Sequence, residues 1–378
     1  MKILQVIMGL PKAAGTSVFC GELANGLVQV GHDVTIAVTN PAQKDAYPVD
    51  PCVCLVSIAS LLEHSNIQTS RTIEQYSLIH IHALWAPLLH RVSRWAHKRN
   101  IPVVWSPHGM ITPWAMNNKK LKKLLGWHLY QKRDLASSAI LHATAPSEVE
   151  DIRRLGLKNK VIVAPLGVHL SSKDNRTIEQ SNNNKVLLFV SRVQRKKGLP
   201  NLIAAWSRLS KDLRTNWQIR IVGPDQDNHT AELKKLCERL GIGYEGLGAE
   251  VAFVGPKYGN DLAQEYGNAD LFVLPTHSEN FGSVVIEALA HEVPVITTKQ
   301  APWSELEEFK CGWWIDDDLD ALTATLKNVL EQSDKQGNQS ILQEMGQRGR
   351  KLVEKRYTWG AVCDKMVRGY EEVLNGRA

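Results

Sequence analysis

Short runs of consecutive apolar residues alternate with stretches of helical periodicity along the whole chain. The runs Ile3–Met8, Asp33–Val38, Leu78–His82, Pro102–Ser106, Ala139–Ala143 and Val161–Ala164 predict strands. Helix-like segments lie between them, among them Ser17–Val30, Leu88–Arg99 and Lys119–Leu135. Residues 171–184 are polar, rich in Asn and Ser, and aperiodic, which predicts a linker. A second series follows, with strands Val186–Val190, Gln218–Val222, Val251–Val254, Leu271–Leu274 and Pro294–Thr297 and helices such as Gly198–Leu209, Ala231–Leu240 and Ser283–Ala290. Apolar runs without polar alternation are what strands buried on both faces require, so the pattern predicts doubly wound parallel sheets. Two series predict two Rossmann-like domains, 1–170 and 185–356, facing a central cleft, with residues 357–378 as a closing helical segment.

The chain has 378 residues, enough for two domains, and is 43% hydrophobic, so a sizeable core is expected. The net charge of +6 falls short of the clustering expected for a nucleic-acid partner. It is unevenly placed: residues 1–170 hold 18 Lys and Arg against 10 Asp and Glu, leaving 27 against 29 beyond, and ten of the 13 histidines lie between His32 and His169. The first apolar run is too short for a signal segment, and no run approaches the roughly 20 residues of a membrane span. The six cysteines are scattered, and Cys52-Val-Cys54 lacks a second pair at zinc-site spacing, so core thiols in a reduced, cytoplasmic protein are expected.

The densest chemistry follows the run Leu271–Leu274. A loop carries Glu279, Asn280, Phe281 and Gly282, and the helix predicted from Ser283 carries Glu287. Unpaired N–H groups at a helix start, approached through a glycine, favour phosphate. Carboxylates before and inside that start can accept from the hydroxyls of one ligand. A capped helix with two exposed acids is the alternative. After the run Val186–Val190, the segment Arg192-Val-Gln-Arg195-Lys196-Lys197-Gly198 gathers four cations. A diphosphate calls for such charge; a solvated basic loop is the alternative.

Arg192, Lys197-Gly198, Glu279-Asn-Phe-Gly and Glu287-Ala in this order, then Pro294-Val-Ile, resemble the group 1 retaining glycosyltransferases, which use sugar nucleotides and have the GT-B fold. The resemblance extends to Gly31-His32-Asp33-Val34 and Ala164-Pro-Leu-Gly167-Val168. It implies that Arg192 and Lys197 hold the donor diphosphate and that Glu287 takes the ribose. Glu279 takes the donor sugar hydroxyls, with Asn280 beside it, and the N–H groups of Phe281, Gly282 and Ser283 meet the distal phosphate. The base is then placed near Gly223 and Val254, and the final helix crosses back to the first domain. The donor is implied to be of UDP or GDP type, with no cofactor and no metal. The family's usual glycine is replaced by Glu292, so a differently built helix end is expected there.

In the first half the family's loop after the first strand carries a glycine pair, of which only Gly15 is present. Thr16 and Ser17 either approach the acceptor or cap the following helix. His108, after the run Pro102–Ser106, is placed by the resemblance beside the donor sugar, as orienting group, transition-state stabiliser or general base. His82 and Trp85 either line the acceptor side or pack in the core. Lys119, Lys120, Lys122 and Lys123, interleaved with Leu121, Leu124, Leu125 and Leu129, form a basic amphipathic pattern. It suits an anionic membrane surface, and equally an ordinary surface helix.

Three decoys are set aside. Gly241-Ile-Gly243-Tyr-Glu-Gly246 matches a dinucleotide fingerprint by letters but follows a helical pattern, so it reads as a loop. Asp225-Gln-Asp227 and Asp316-Asp-Asp318 are not expected to chelate a required metal. Trp303, Trp313 and Trp314 read as packing. The reading that results is transfer of a sugar to a glycan or lipid-linked acceptor in polysaccharide synthesis. Its rivals are a sugar-nucleotide epimerase of the same architecture and a non-enzymatic protein docking on membrane or nucleic acid.

Overall fold

A computed structural model describes residues 1–12, 14–63, 76–170, 185–246, 248–333 and 339–376. The expected linker, 171–184, lies outside them. The chain divides into two compact units, Met1–Gly167 with Trp359–Ala378, and Val168–Thr358. The segments entering and leaving the second unit run side by side, with the Val168 N–H donating to the Tyr357 carbonyl at 2.8 Å.

Among the described residues the first unit holds seven strands: β1 (Lys2–Val6), β2 (Asp33–Val38), β3 (Cys54–Ser57), β4 (Leu78–His82), β5 (Val103–Ser106), β6 (Ile140–Ala143) and β7 (Lys160–Val163). They form one sheet in the order β3-β2-β1-β4-β5-β6-β7, every pair parallel. The period-two alternation of a strand sorts their side chains onto two faces. Leu4, Val6, Ile79, Ile81, Val103, Trp105 and Leu141 pack under the helix Pro87–Lys98. Ile3, Val34, Ile36, Leu78 and Val104 face the opposite way, toward the helices Gly15–Gln29 and Trp359–Asn375. The last helix therefore does return to the first unit. Its approach is close because position 26 is glycine: a Cβ there would lie 2.2 Å from the Cys363 sulfur.

That second face also carries an internal polar row that one strand's alternation only hinted at. Gln5, His80, His82, Ser106 and His142 stand on it at successive strands, all fully or almost fully buried.

Among the described residues the second unit has six parallel strands: β8 (Lys185–Val190), β9 (Trp217–Val222), β10 (Val251–Gly255), β11 (Leu271–Leu274), β12 (Val295–Thr298) and β13 (Gly312–Ile315). Their order is β10-β9-β8-β11-β12-β13. Two unpredicted strands, β3 and β13, are sheet edges. Each has only one neighbour to satisfy, so neither needs the long apolar run that marks a central strand.

Several expectations are corrected. Neither Thr16 nor Ser17 caps the helix Gly15–Gln29; its N-cap is Ala14, without a side-chain bond, while Ser17 is buried and donates to the Gly9 carbonyl at 3.5 Å. Cys52 and Cys54 are exposed, not core thiols. Lys119–Leu135 is not one regular helix: Lys120–Gly126 passes through a π-helical turn, Trp127–Gln131, into Lys132–Ser137. At Glu292 the backbone adopts the left-handed conformation that favours glycine, with φ 62°, at a penalty of about 1–2 kcal/mol.

Candidate active site

All six strands of the second sheet end on the same edge, and the expected donor residues gather there. The loops after β8 and β11 are stitched together by backbone. The His277 N–H donates to the Lys196 carbonyl at 2.9 Å, and the Thr276 hydroxyl donates to it at 3.2 Å. Gly198, at φ 72°, lies so close to the Pro275 carbonyl that a Cβ would sit 1.7 Å from its oxygen. No other residue fits that approach. Glycine at this position is therefore what allows Lys197 to reach the neighbouring loop.

Lys197 is buried, and its ammonium forms a short ion pair with Glu279. The sequence assigned these two residues to different parts of a ligand; the fold makes them partners first. Burial, together with the Lys197 and Arg192 charges, pulls the Lys196 ammonium below its usual range, against the pull of Glu279. Arg192 differs from both lysines. It is exposed and, among the described residues, donates to the Gln226 side-chain oxygen at 3.3 Å. Arg195 points elsewhere, to Glu232 on the helix His229–Leu240.

The helix Ser283–Ala290 starts at Gly282 (φ 80°) without a side-chain cap, leaving its first N–H groups unclaimed by the helix itself. Phe281 is buried against Trp303 and Tyr357, and its carbonyl accepts from Trp303 Nε1 at 2.6 Å. The Asn280 N–H is 3.2 Å from Glu279 Oε1. One turn in, Glu287 accepts from the Tyr266 hydroxyl at 2.8 Å and from Ser283. Burial raises its pKa, and those two donors pull the other way. Tyr266, far off in sequence on the helix Gly259–Gly267, carried no local signal of this role. Gly223 lies against the Ser191 carbonyl, and Val254 is half-buried near the end of β10.

In the first unit, the described candidates lie near the carboxyl ends of β1, β4 and β5. His82 does not line an acceptor surface: it is fully buried, bonded to Gln5 and, at 3.1 Å, to His108. His108 is partly exposed, with φ 52°. Gly15 is exposed, with open space beside it, and Thr16 is half-buried. Trp85 is half-buried; its backbone N–H donates to the Gln131 side-chain oxygen at 2.9 Å, and its ring lies beneath Lys123. That also corrects Lys123, whose ammonium is taken by the Ala115 carbonyl at 2.5 Å, whereas Lys119, Lys120 and Lys122 are exposed.

The decoys resolve into structure. Gly241 ends the helix His229–Leu240 in the left-handed conformation. Asp225 accepts the Thr230 N–H at 3.0 Å, Asp316 pairs with Lys299, and Asp317 with His277.

Two all-parallel α/β units, the second with this loop and helix-start constellation, define a GT-B protein. Residues 171–352 match the family model "Glycosyl transferases group 1", and residues 13–172 match "Glycosyltransferase Family 4". Both models are of glycosyltransferases, and together they span residues 13–352. It is 24% identical to an uncharacterized glycosyltransferase of Methanocaldococcus jannaschii, with 98% of each chain covered. It is 25% identical to a D-inositol 3-phosphate glycosyltransferase of Pseudarthrobacter chlorophenolicus, covering 77% of this chain and 75% of the relative. A capsular polysaccharide biosynthesis glycosyltransferase of Staphylococcus aureus, CapM, is 27% identical over 53% of this chain and 51% of its own. Among solved structures, sucrose-phosphate synthase of Thermosynechococcus elongatus superposes with a TM-score of 0.74 at 20% identity over the whole of both chains. HepE of Anabaena, in complex with UDP and glucose, gives 0.71 at 17% identity, over 98% of this chain and 100% of that one.

Proposed function

We propose that this glycosyltransferase moves a sugar from a UDP- or GDP-type donor to an acceptor hydroxyl with retention, the acceptor being a glycan or lipid-linked precursor in polysaccharide synthesis. The observation that carries the reading is the constellation on the second sheet: Arg192 and the Lys197–Glu279 pair beside an uncapped helix start, with Glu287 one turn inside. Arg192 and Lys197 neutralise the departing diphosphate, the task a metal performs in other architectures, so no metal is required. The N–H groups of Phe281, Gly282 and Ser283 meet the distal phosphate. Glu287, oriented by Tyr266 and Ser283, accepts from the ribose hydroxyls. Glu279, held by Lys197, accepts from the donor sugar, with Asn280 beside it, and the base lies by Gly223 and Val254. The Anabaena HepE complex with UDP and glucose and the name of CapM favour the donor class and the pathway class. No protein nucleophile is needed for a front-face, oxocarbenium-like transition state.

Binding of UDP, GDP and ADP, and of their sugars, tests this by calorimetry. One nucleoside diphosphate should bind, and Glu287→Gln should weaken it about 10–100-fold, the worth of charge-assisted hydrogen bonds. Failure of every nucleotide to bind would overturn the reading.

A second observation supports work at the cytoplasmic face of a membrane. No helix among the described residues is long and apolar enough to cross a membrane. Leu121 (83% exposed), Leu125 (62%) and Leu129 (70%) nevertheless project outward with Leu124 and Trp114, beside Lys119, Lys120 and Lys122. An anionic bilayer satisfies both the apolar and the basic side chains. Sedimentation with vesicles should show binding to phosphatidylglycerol-containing but not pure phosphatidylcholine membranes, and Leu125→Asp with Leu129→Asp should abolish it. Equal behaviour toward both vesicles would remove the membrane from the account.

A further inference from the structure

We infer that Gln5, acting through His82, fixes His108 as a neutral imidazole protonated at Nδ1, so that it offers a hydrogen-bond donor, and not a general base, to an oxygen of the ligand. The ligand-facing role rests on the function proposed above; the proton placement does not.

The placement begins at Gln5, which is fully buried on β1. Its amide satisfies its surroundings in one orientation only. The NH2 group then donates to His82 Nε2 at 2.9 Å and to the Cys20 carbonyl at 3.3 Å, and the oxygen accepts the Ala24 N–H at 3.2 Å. The reverse orientation sets oxygen against oxygen and N–H against N–H in a dry core, which costs about 1–3 kcal/mol per orphaned group. His82 Nε2 is therefore an acceptor. A neutral imidazole carries one proton, so that of His82 is on Nδ1. Nδ1 stands 3.1 Å from His108 Nε2 and donates to it. His108 Nε2 is then the acceptor, and its own proton sits on Nδ1. Both rings are kept neutral: burial first, and the neighbouring histidines second, push His82 well below its usual range and His108 to about 3.

The ring is held as well as protonated. Phe19 meets it edge-on, with centroids 5.3 Å apart. The left-handed turn of His108 is secured by the next residue, whose N–H (Gly109) donates to Glu148 Oε1 at 2.5 Å. The other Glu148 oxygen accepts the Thr144 N–H at 2.8 Å and hydroxyl at 2.9 Å. Among the described residues, no protein group bonds to His108 Nδ1, and His108 is the partly exposed member of the four-ring cluster. The neighbouring rings take no part. The Ala164 carbonyl requires a proton on His142 Nε2, so Ser106 donates to His142 Nδ1, His80 Nε2 donates to Ser106, and Tyr370 donates to His80. Gln5, His82 and Glu148 are thus positioning residues, and His108 is the group that meets the ligand.

The test is 15N NMR of the full chain labelled at histidine, with His82 and His108 assigned through His82→Gln and His108→Gln. Both rings should show the Nδ1–H tautomer in the free protein. A His108 ring protonated at Nε2, or at both nitrogens, would overturn the inference. Gln5→Glu reverses the relay, because a carboxylate accepts from His82 Nε2. His108 should then show the Nε2–H tautomer, and turnover should fall about a hundredfold while nucleotide affinity holds. Unchanged turnover with an inverted tautomer would overturn the donor role. If Gln5→Glu does not fold, the wild-type spectrum and Gln5→Met decide, the latter being expected to mix both tautomers. Because the spectra are taken without substrate, an inactive protein with the expected tautomers would count against the proposed function alone.

Discussion

Acidification from pH 7 to pH 5 should open the first unit before the second. His80, His82 and His142 are buried without charge, and burial is the largest cause that lowers each of them, His142 to about 4. In the unfolded chain each regains the ordinary value near 6.5. A base whose folded pKa is depressed contributes stability that is fully present above the unfolded value and is lost as pH falls through it, since the unfolded state then binds the extra proton. At about 1.4 kcal/mol per histidine per pH unit, three histidines remove roughly 6 kcal/mol by pH 5, comparable with the whole stability of many domains. Glu148, Asp134 and Asp151 lie in the same unit, and burial raises each of them. A carboxyl raised by folding gains relative stability as pH falls toward its ordinary value, so these three oppose the histidines and reduce the slope. Hydrogen exchange at pH 7, 6 and 5 should show peptides spanning β4 to β6 losing protection ahead of those spanning β11 and β12. Protection independent of pH over that range would show that the rings are not neutral inside.

Lys197→Met should have the largest effect of any single substitution at the site. The Lys197–Glu279 pair is mostly shielded, with side chains 8% and 14% exposed. Removing the cation leaves the shielded Glu279 carboxylate with the Asn280 N–H and the more distant Lys196 charge in place of its ion pair, a change of about 3 kcal/mol against folding. If Lys197 also neutralises the diphosphate, turnover should fall about a hundredfold or more beyond any effect of unfolding. The double variant Lys197→Met, Glu279→Gln separates the two effects, because it contains no unpaired buried charge. It should recover most of the stability lost, measured by urea unfolding, and none of the turnover. Recovery of both would make the pair a structural device only.

The two predictions draw on features that were differently legible. Two parallel-sheet units could be read from uninterrupted apolar runs such as Leu187–Val190 and Leu271–Leu274, because a strand covered on both faces has to be apolar throughout. Of the four described edge strands, β7 and β10 could be read from apolar runs but β3 and β13 could not, since one-sided pairing permits, without requiring, such a run. Position 282 marked a helix start because the letters around it specify local backbone geometry, and the structure places one there. The Lys197–Glu279 pair, by contrast, joins residues 82 positions apart. The bond from Tyr266 to Glu287 and the hold of Glu148 on Gly109 likewise arise only when separate loops meet.

The histidine row shows the same division most sharply. The alternation in His80-Ile-His82 determined that both rings share a face, because strand side chains repeat every two residues. Whether that face met ligand, solvent or core depended on the helices Gly15–Gln29 and Trp359–Asn375, which come from opposite ends of the first unit's sequence and close over it. Chain order and residue type thus determined the strands, the helix starts and the chemistry available at their ends. The tertiary structure decided which ionisable groups face one another and which lose their water. Those two conditions set charge and proton position, and neither is a property of any local stretch of sequence.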